Sequence, residues 1–440
     1  MMNRKNRGGR DLHPETLALG YGYDPKLSEG AVKAPMFLTS TFQFERAEDG
    51  KRFFELAYGL REKDPGEVPG LIYSRINNPN VQIFEERMAA WDKVDRSAAF
   101  ASGMAAITTF FLSTCKPGDV VLYAGPIYGG TFFFFEKILP QFQIRCIEID
   151  GGGLCPATLE AHIHEHGLER VKVVYLETPA NPSNVLVDMR AIADVIDRVA
   201  TEAHRPLFAV DNTFLGPVFQ CPKDHGVDVV LYSATKFIGG HSDLIAGVVS
   251  GPAAVMEAVV GYRSILGTLP SAFDAWLLLR SLETLSVRMK RQARTAQAIA
   301  GFLKIHPMVK SVAFPGMEPD GSPEREIYDR QCSGTGSLIS FEIHGGEAEA
   351  FAVLNRFEVM RLAVSLGGTE SLVQHPASMT HSDVPVEIKN RSGITPALIR
   401  MSVGLEHEED LIDDLKQALD VLPAPRVTLT SGAQADFDAP

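Results

Sequence analysis

Five short apolar runs rich in β-branched residues constrain this chain most: Val120–Tyr123, Val171–Leu176, Leu207–Val210, Val227–Tyr232 and Ala246–Ser250. Apart from Lys172, Asp228 and the terminal Ser250 they are apolar and do not alternate, so each is expected to be a strand buried on both faces. Amphipathic stretches such as Met189–Val199 separate them. A sheet covered on both faces by the helices that connect its strands satisfies this pattern, so the expected class is α/β with a mainly parallel sheet. The 440 residues allow about two to three domains. With 45% apolar and 22% charged residues, the chain can bury a large core, and disorder throughout is excluded.

Residues 1–77 are rich in Gly, Pro and charge, and are expected to form an irregular arm. A helix is expected after Asn78-Pro79, because Val81, Phe84, Met88 and Trp91 fall on one stripe. The large α/β domain is placed at 78–285, with helix dominating Met256–Leu303. After Pro307, strand-like runs (Val309–Ala313, Ser337–Ile343) mix with helical ones (Ala348–Arg356, Leu411–Val421). A smaller α+β domain is therefore placed at 286–423. The tail 424–440 is expected to be mobile.

Composition narrows the function. There are 42 basic and 55 acidic residues, a net charge of -13, which disfavours a phosphate backbone as partner. Apolar clusters such as Phe110–Leu112 and Phe132–Phe135 are far shorter than the ~20 residues of a spanning helix. Arg4, Lys5, Arg7 and Arg10 are not followed by the apolar run of a signal peptide, so a cytoplasmic protein is expected. The five cysteines are scattered without a CxxC pair, which suggests reduced thiols and neither zinc nor disulfides. His162, His164 and His166 lie in a helical stretch where only His162 and His166 share a face, and are read as solvated. No metal site is expected.

The chemistry concentrates at strand ends. Ser233-Ala234-Thr235-Lys236 follows an apolar strand and precedes Gly239-Gly240. In open α/β sheets ligands bind at the carboxyl ends of strands. A lysine held there out of bulk water has a depressed pKa and can form a Schiff base, while two nearby hydroxyls can hold a phosphate. Asp211 ends another apolar strand in Phe208-Ala209-Val210-Asp211-Asn212-Thr213. Pyridoxal 5'-phosphate (PLP) needs both groups, a Schiff-base lysine and a carboxylate at its ring nitrogen. Ser102-Gly103-Met104 opens a helix whose free N–H groups attract phosphate. Tyr128, before Gly129-Gly130, can lie on a ring or move protons. Each motif alone also has an ordinary reading: a surface lysine, a capping acid, a serine cap, a turn tyrosine.

Taken in order, the motifs over about residues 12–422 resemble the PLP-dependent transsulfuration enzymes of cysteine and methionine metabolism. The match rests on Tyr73-Ser-Arg75-Ile-Asn-Asn-Pro79, Ser102-Gly-Met104, Tyr128-Gly, Glu177-Thr-Pro-Ala-Asn181-Pro182, Asp211-Asn-Thr213, Ser233-Ala-Thr-Lys236, Ser365-Leu-Gly, His375-Pro-Ala-Ser-Met-Thr-His381 and Arg400-Met-Ser-Val-Gly-Leu-Glu406. The resemblance implies the aspartate-aminotransferase-like fold and a homotetramer built as a dimer of dimers. It also implies roles. Lys236 carries the cofactor and shuttles protons, and Asp211 pairs with the ring nitrogen. Gly103, Met104, Ser233 and Thr235 hold the phosphate, and Thr213 belongs to the same cofactor set. Tyr73 and Arg75 reach the phosphate in a neighbouring subunit. Tyr128 stacks on the ring and protonates the leaving group. Asn181, Ser365 and Arg400 hold the substrate carboxylate, beside Val364.

Two departures bear on the reaction. Members that act on cystathionine tend to have a glutamate at the position of Val364, where it meets a distal ammonium. An apolar residue there disfavours that buried charge, as in the methionine γ-lyases. Those lyases in turn carry a cysteine where this chain has Gly130, and synthases more often a small residue, so Gly130 is expected to widen the pocket. The segment Phe53–Gly70 also looks longer than is typical of the family. The charge argument is the stronger. The expected activity is γ-elimination from a γ-substituted L-amino acid, giving a 2-oxo acid, ammonia and the released group. The alternatives are γ-replacement, as in an O-acylhomoserine sulfhydrylase or cystathionine γ-synthase, and more remotely a non-catalytic PLP-binding protein.

Overall fold

A computed structural model describes residues 5–7, 10–67, 69–149 and 155–421. The tail 424–440 lies outside the described residues. The central element is a seven-stranded sheet: β1 (Arg96–Phe100), β2 (Val120–Ala124), β3 (Arg145–Ile149), β4 (Val171–Glu177), β5 (Leu207–Asp211), β6 (Val229–Tyr232) and β7 (Gly247–Gly251). Its spatial order is β1-β7-β6-β5-β4-β2-β3. The strands from β2 to β6 are mutually parallel, and β7 runs antiparallel to both its neighbours.

Period-two side-chain alternation explains why these strands read as continuously apolar. Val120, Leu122, Phe208, Val210, Val230 and Tyr232 enter one core. Val121, Tyr123, Ala209, Val229 and Leu231 enter another on the opposite face. After α1 (Ala47–Ala57), which lies in the arm, the covering layers come from α2 (Pro79–Trp91), α3 (Gly103–Thr114), α4 (Met189–Val199), α5 (Ala253–Leu266) and α6 (Ala272–Leu282). α2, α4 and α6 pack into the first core, and α3 and α5 into the second.

The 21-residue helix α7 (Leu285–Ile305), about 31 Å long, joins the two parts of the chain. Its Met289 and Ala293 belong to the first sheet core. Its Ala296, Ile299 and Leu303 belong to a separate C-terminal core. That core backs a five-stranded sheet of β8 (Val309–Ala313), β9 (Leu338–Ile343), β10 (Arg361–Leu362), β11 (Leu372–Gln374) and β12 (Leu398–Ser402), in the order β8-β9-β12-β11-β10. Helix α8 (Glu408–Leu419) closes it. The architecture is the large mainly parallel sheet with a smaller α+β unit that the sequence led us to expect.

Two strands carry no such sequence signal, and one expectation needs correction. β1 escapes the β-branched signal because its core residues are two alanines and a phenylalanine. β3 is a sheet-edge strand with only Ile149 fully buried, so it lacks the apolar run of its neighbours. The arm is not irregular throughout, since α1 forms within it. Glu48 and Asp49 favour its N-terminus, and Phe53 packs edge-on against Phe44 at 6.0 Å between ring centres.

Candidate active site

The parallel strands deliver their carboxyl ends to one cavity of about 330 Å³. β4 ends in Glu177 and β5 in Asp211, and the two residues are register partners on adjacent strands. β6 leads directly into Ser233 and Lys236. Gly103 and Met104 enter from the first turn of α3. The C-terminal unit contributes Val364, Ser365 and Arg400, and all of these residues line the cavity.

Lys236 Nζ donates to Ser365 Oγ at 2.9 Å. Burial, then the positive charge of Arg400, pushes the lysine down to about 8. A substantial neutral fraction at physiological pH suits both Schiff-base and proton-transfer chemistry. The loop after Lys236 is pinned from behind. Arg288 on α7 donates to the carbonyl of Phe237 at 2.8 Å and to that of Ser281 at 3.0 Å. Gly240, at φ 68°, passes so close that a Cβ there would overlap the Arg288 guanidinium.

Asp211 is nearly buried. Its Oδ1 accepts from the Thr213 amide at 3.0 Å and the Thr213 hydroxyl at 2.5 Å. Thr213 Oγ1 in turn accepts from the Ser233 amide at 2.9 Å. Desolvation holds the Asp211 carboxyl above its usual range, and the Thr213 bonds pull it back. A cationic ring nitrogen placed against this carboxylate would favour its charged form.

The start of α3 has the features that suit a phosphate. Ser102 caps it by accepting from the Ala105 amide at 2.9 Å. The amides of Gly103 and Met104 precede any intrahelical acceptor. A Cβ on Gly103 would sit 3.0 Å from Ser233 Cβ and 3.1 Å from its Cα, so glycine lets the Ser233 turn close over the helix end. Thr235 Oγ1 also faces the cavity, and accepts from the Ala246 amide at 3.0 Å. Free amides, two hydroxyls, a buried carboxylate and a depressed lysine together fit PLP.

Arg400 is buried on β12, between its register partners Ser340 and Gln374. It donates to Asn181 Oδ1 at 3.0 Å and to the Ser365 carbonyl at 2.7 Å. With its amide oxygen turned inward, Gln374 accepts from Arg400 Nε at 3.2 Å. Burial lowers the guanidinium to about 10, opposed by the negative charge of Glu177. Arg400 thus remains a cation with a fixed fork beside the lysine, able to hold a carboxylate.

Every residue expected at the site lines this cavity except Tyr73 and Arg75. Arg75 instead donates to the Ser264 carbonyl at the end of α5 at 2.5 Å, and Tyr73 is 42% exposed. Gly130 corrects the volume argument. It does not face open space: a Cβ there would lie 2.7 Å from Tyr128 Cε1 and 3.1 Å from Met104 Sδ. Its smallness seats the tyrosine ring rather than widening the pocket. The sequence reading assigned no role to Glu177, Gln374 or Arg288. Glu177 carries the same signal that identified Asp211, an acid closing an apolar strand. His162, Glu165 and His166 bring ligand atoms within 4.8 Å on another helix. Glu165 is solvent-exposed there, and Arg145 reaches His166.

The family model described as Cys/Met metabolism PLP-dependent enzyme matches residues 15–420. The chain is 38% identical to the L-methionine gamma-lyase of Pseudomonas deceptionensis over 407 residues, covering 92% of this chain and 96% of that one. It is 36% identical to the cystathionine gamma-lyase of Rattus norvegicus, covering 92% and 95%. The crystal structure of cystathionine gamma synthase from Xanthomonas oryzae pv. oryzae, in complex with aminoacrylate and cysteine, superposes with a TM-score of 0.83 at 34% identity, covering 93% and 98%. The chain therefore belongs to the PLP-dependent enzymes of Cys/Met metabolism.

Proposed function

We propose that this enzyme catalyses γ-elimination on an L-amino acid with a heteroatom leaving group at Cγ, as a methionine γ-lyase does. The observation that carries the proposal is the pocket's charge layout. Its lining carboxylates are Glu177 and Asp211. Both lie at strand ends and are already hydrogen-bonded to Tyr128, Asn181 and Thr213. The lining also includes the apolar Val364, Ile245, Phe214 and Leu366. A distal ammonium beside Val364 finds no free carboxylate among the lining residues. A thioether or another uncharged γ-group meets no such penalty.

Bound PLP supplies the electron sink. Arg400 and Asn181 hold the substrate carboxylate, which orients the α-hydrogen toward Lys236. Lys236 Nζ, in its neutral form, takes the proton from Cα, passes it on to the bound cofactor, and, neutral again, takes one from Cβ. The Tyr128 phenol delivers a proton to the departing γ-heteroatom. Asp211 holds the ring nitrogen, Thr213 holds Asp211, and Gly103, Met104, Ser233 and Thr235 bind the phosphate.

The test is turnover of L-methionine, L-canavanine, L-cystathionine and O-acetylhomoserine by the PLP-loaded enzyme, without added nucleophile. We expect a 2-oxo acid from methionine or canavanine and little from cystathionine. Product formation only when cysteine or sulfide accompanies O-acetylhomoserine would make the enzyme a γ-replacement catalyst instead.

The assembly we propose is a homotetramer of two dimers, in which Tyr73 and Arg75 complete the neighbouring site. Exposed Tyr73 outside its own cavity supports this. Mixing inactive Tyr73→Ala and Lys236→Ala subunits would regenerate activity if sites are shared, and none if they are not. The units 78–285 and 286–423 are proposed as the two domains. Among the described residues no helix is long and apolar enough to cross a membrane. A cytoplasmic setting suits the free cysteines.

A further inference from the structure

We infer that Glu177 is a positioning residue that locks Tyr128 and the Asn181–Arg400 pair into one geometry. Its carboxylate is buried at the end of β4 and lines the cavity. One oxygen, Oε2, accepts from the Tyr128 amide at 2.7 Å, and the other, Oε1, from the Asn181 amide at 2.9 Å. Asn181 then accepts from Arg400 through its side chain at 3.0 Å. A single carboxylate therefore ties the turn that presents the phenol to the loop that braces the guanidinium. These segments are 53 residues apart and follow the adjacent parallel strands β2 and β4, and beyond the strand ends the carboxylate bridges them.

Only a carboxylate suits this place. Both neighbours are donors, and an ionised acid is acceptor-only on each oxygen. Glutamine has one acceptor and one donor end, so its NH₂ must confront one of the two amides. Burial and then the nearby Asp211 push this carboxyl up to about 8, against the pull of the two amides and Arg400 toward the ionised form. Loading the cofactor sharpens this balance, because a cationic ring nitrogen against Asp211 offsets the closest competing negative charge. The inference about turnover rests on the proposed γ-elimination, whereas the inference about geometry does not.

The test compares wild type with Glu177→Gln in two ways. Residue-resolved amide hydrogen exchange on the apo-protein should show the Tyr128 and Asn181 amides protected in wild type. In the variant at least one of them should exchange about tenfold faster or more, as expected for a lost charge-assisted bond, with the β5 amides unchanged. In the PLP-loaded enzyme KM should rise and kcat should fall together, because the carboxylate clamp and the proton donor both shift. A purely structural role would lower the melting temperature and leave the surviving enzyme's KM and kcat unchanged. Fast exchange of both amides in wild type, or variant exchange and kinetics within twofold of wild type, would overturn the inference. The wild-type exchange reading stands even if the variant does not fold. If wild type turns over none of the four amino acids, the reaction assignment fails while the exchange result still decides the role of Glu177.

Discussion

Lys236 Nζ and Ser365 Oγ meet at 2.9 Å across 129 residues of chain. Their contact joins the large sheet to the C-terminal unit. Ser365 makes it from φ 105°, a backbone conformation rare outside glycine. The Arg400 bond to its carbonyl holds it there.

The Lys236 environment predicts a pH-dependent stability difference. The folded apo-protein holds this lysine at about 8, below its ordinary 10.5. Between those values the unfolded chain binds more protons, so stability rises with pH. Below pH 8 both states are protonated, and the folded state carries the full burden of a buried charge. Apo Lys236→Met should therefore be more stable than apo wild type at pH 7, with the gap closing toward pH 10.5. Denaturant melts at several pH values check this, and a gap that widens with pH would refute it. The same variant should bind PLP without a covalent link, seen as loss of borohydride-fixed cofactor by mass spectrometry.

Gly103→Ala should weaken cofactor binding. The added Cβ meets the Ser233 backbone and side chain at 3.0–3.1 Å, and overpacking of this kind costs about 1–3 kcal/mol. An affinity loss of roughly 10- to 100-fold is expected, read by PLP titration of the apo-protein. Alanine favours a helix interior, so the melting temperature should fall less than the affinity.

Val364→Glu should redirect specificity. The side chain is 57% exposed at the cavity mouth, so stability should change by no more than about 0.5 kcal/mol. A carboxylate there offers a partner to a distal ammonium. The ratio of kcat/KM for cystathionine over methionine should rise about tenfold or more. An unchanged ratio would mean the specificity is set elsewhere.

Arg288→Met should destabilise the lysine loop. It removes the donor to the buried Phe237 carbonyl, at about 1–3 kcal/mol if unsatisfied, while the Ser281 carbonyl keeps its bonds from Thr284. Thermal melts should show a loss of several degrees, and PLP should dissociate faster on dilution.

The strands and helices of the large sheet were legible because their signals are local. A strand covered on both sides is apolar at nearly every position, and the runs Val120–Ala124 or Leu207–Val210 can be seen without knowing their neighbours. β1 and β3 lacked that signal, one because alanines fill its core positions and one because it lies at the edge. Lys236 and Asp211 were legible as chemistry because each follows or ends such a run. Glu177 shared that pattern, but its role depends on accepting from Tyr128 and Asn181, contacts that no spacing encodes.

By itself, then, the sequence determined the alternation of buried strands and amphipathic helices, and which side chains stand at strand ends. The tertiary structure decided what those side chains are worth chemically. It lowered Lys236 by burying it beside Arg400, a residue 164 positions away. It turned Gly130 from an expected opening into the seat of Tyr128. The physical reason is the same in both cases: burial energies and charge–charge interactions depend on distance in space, and the long-range packing of the chain sets that distance.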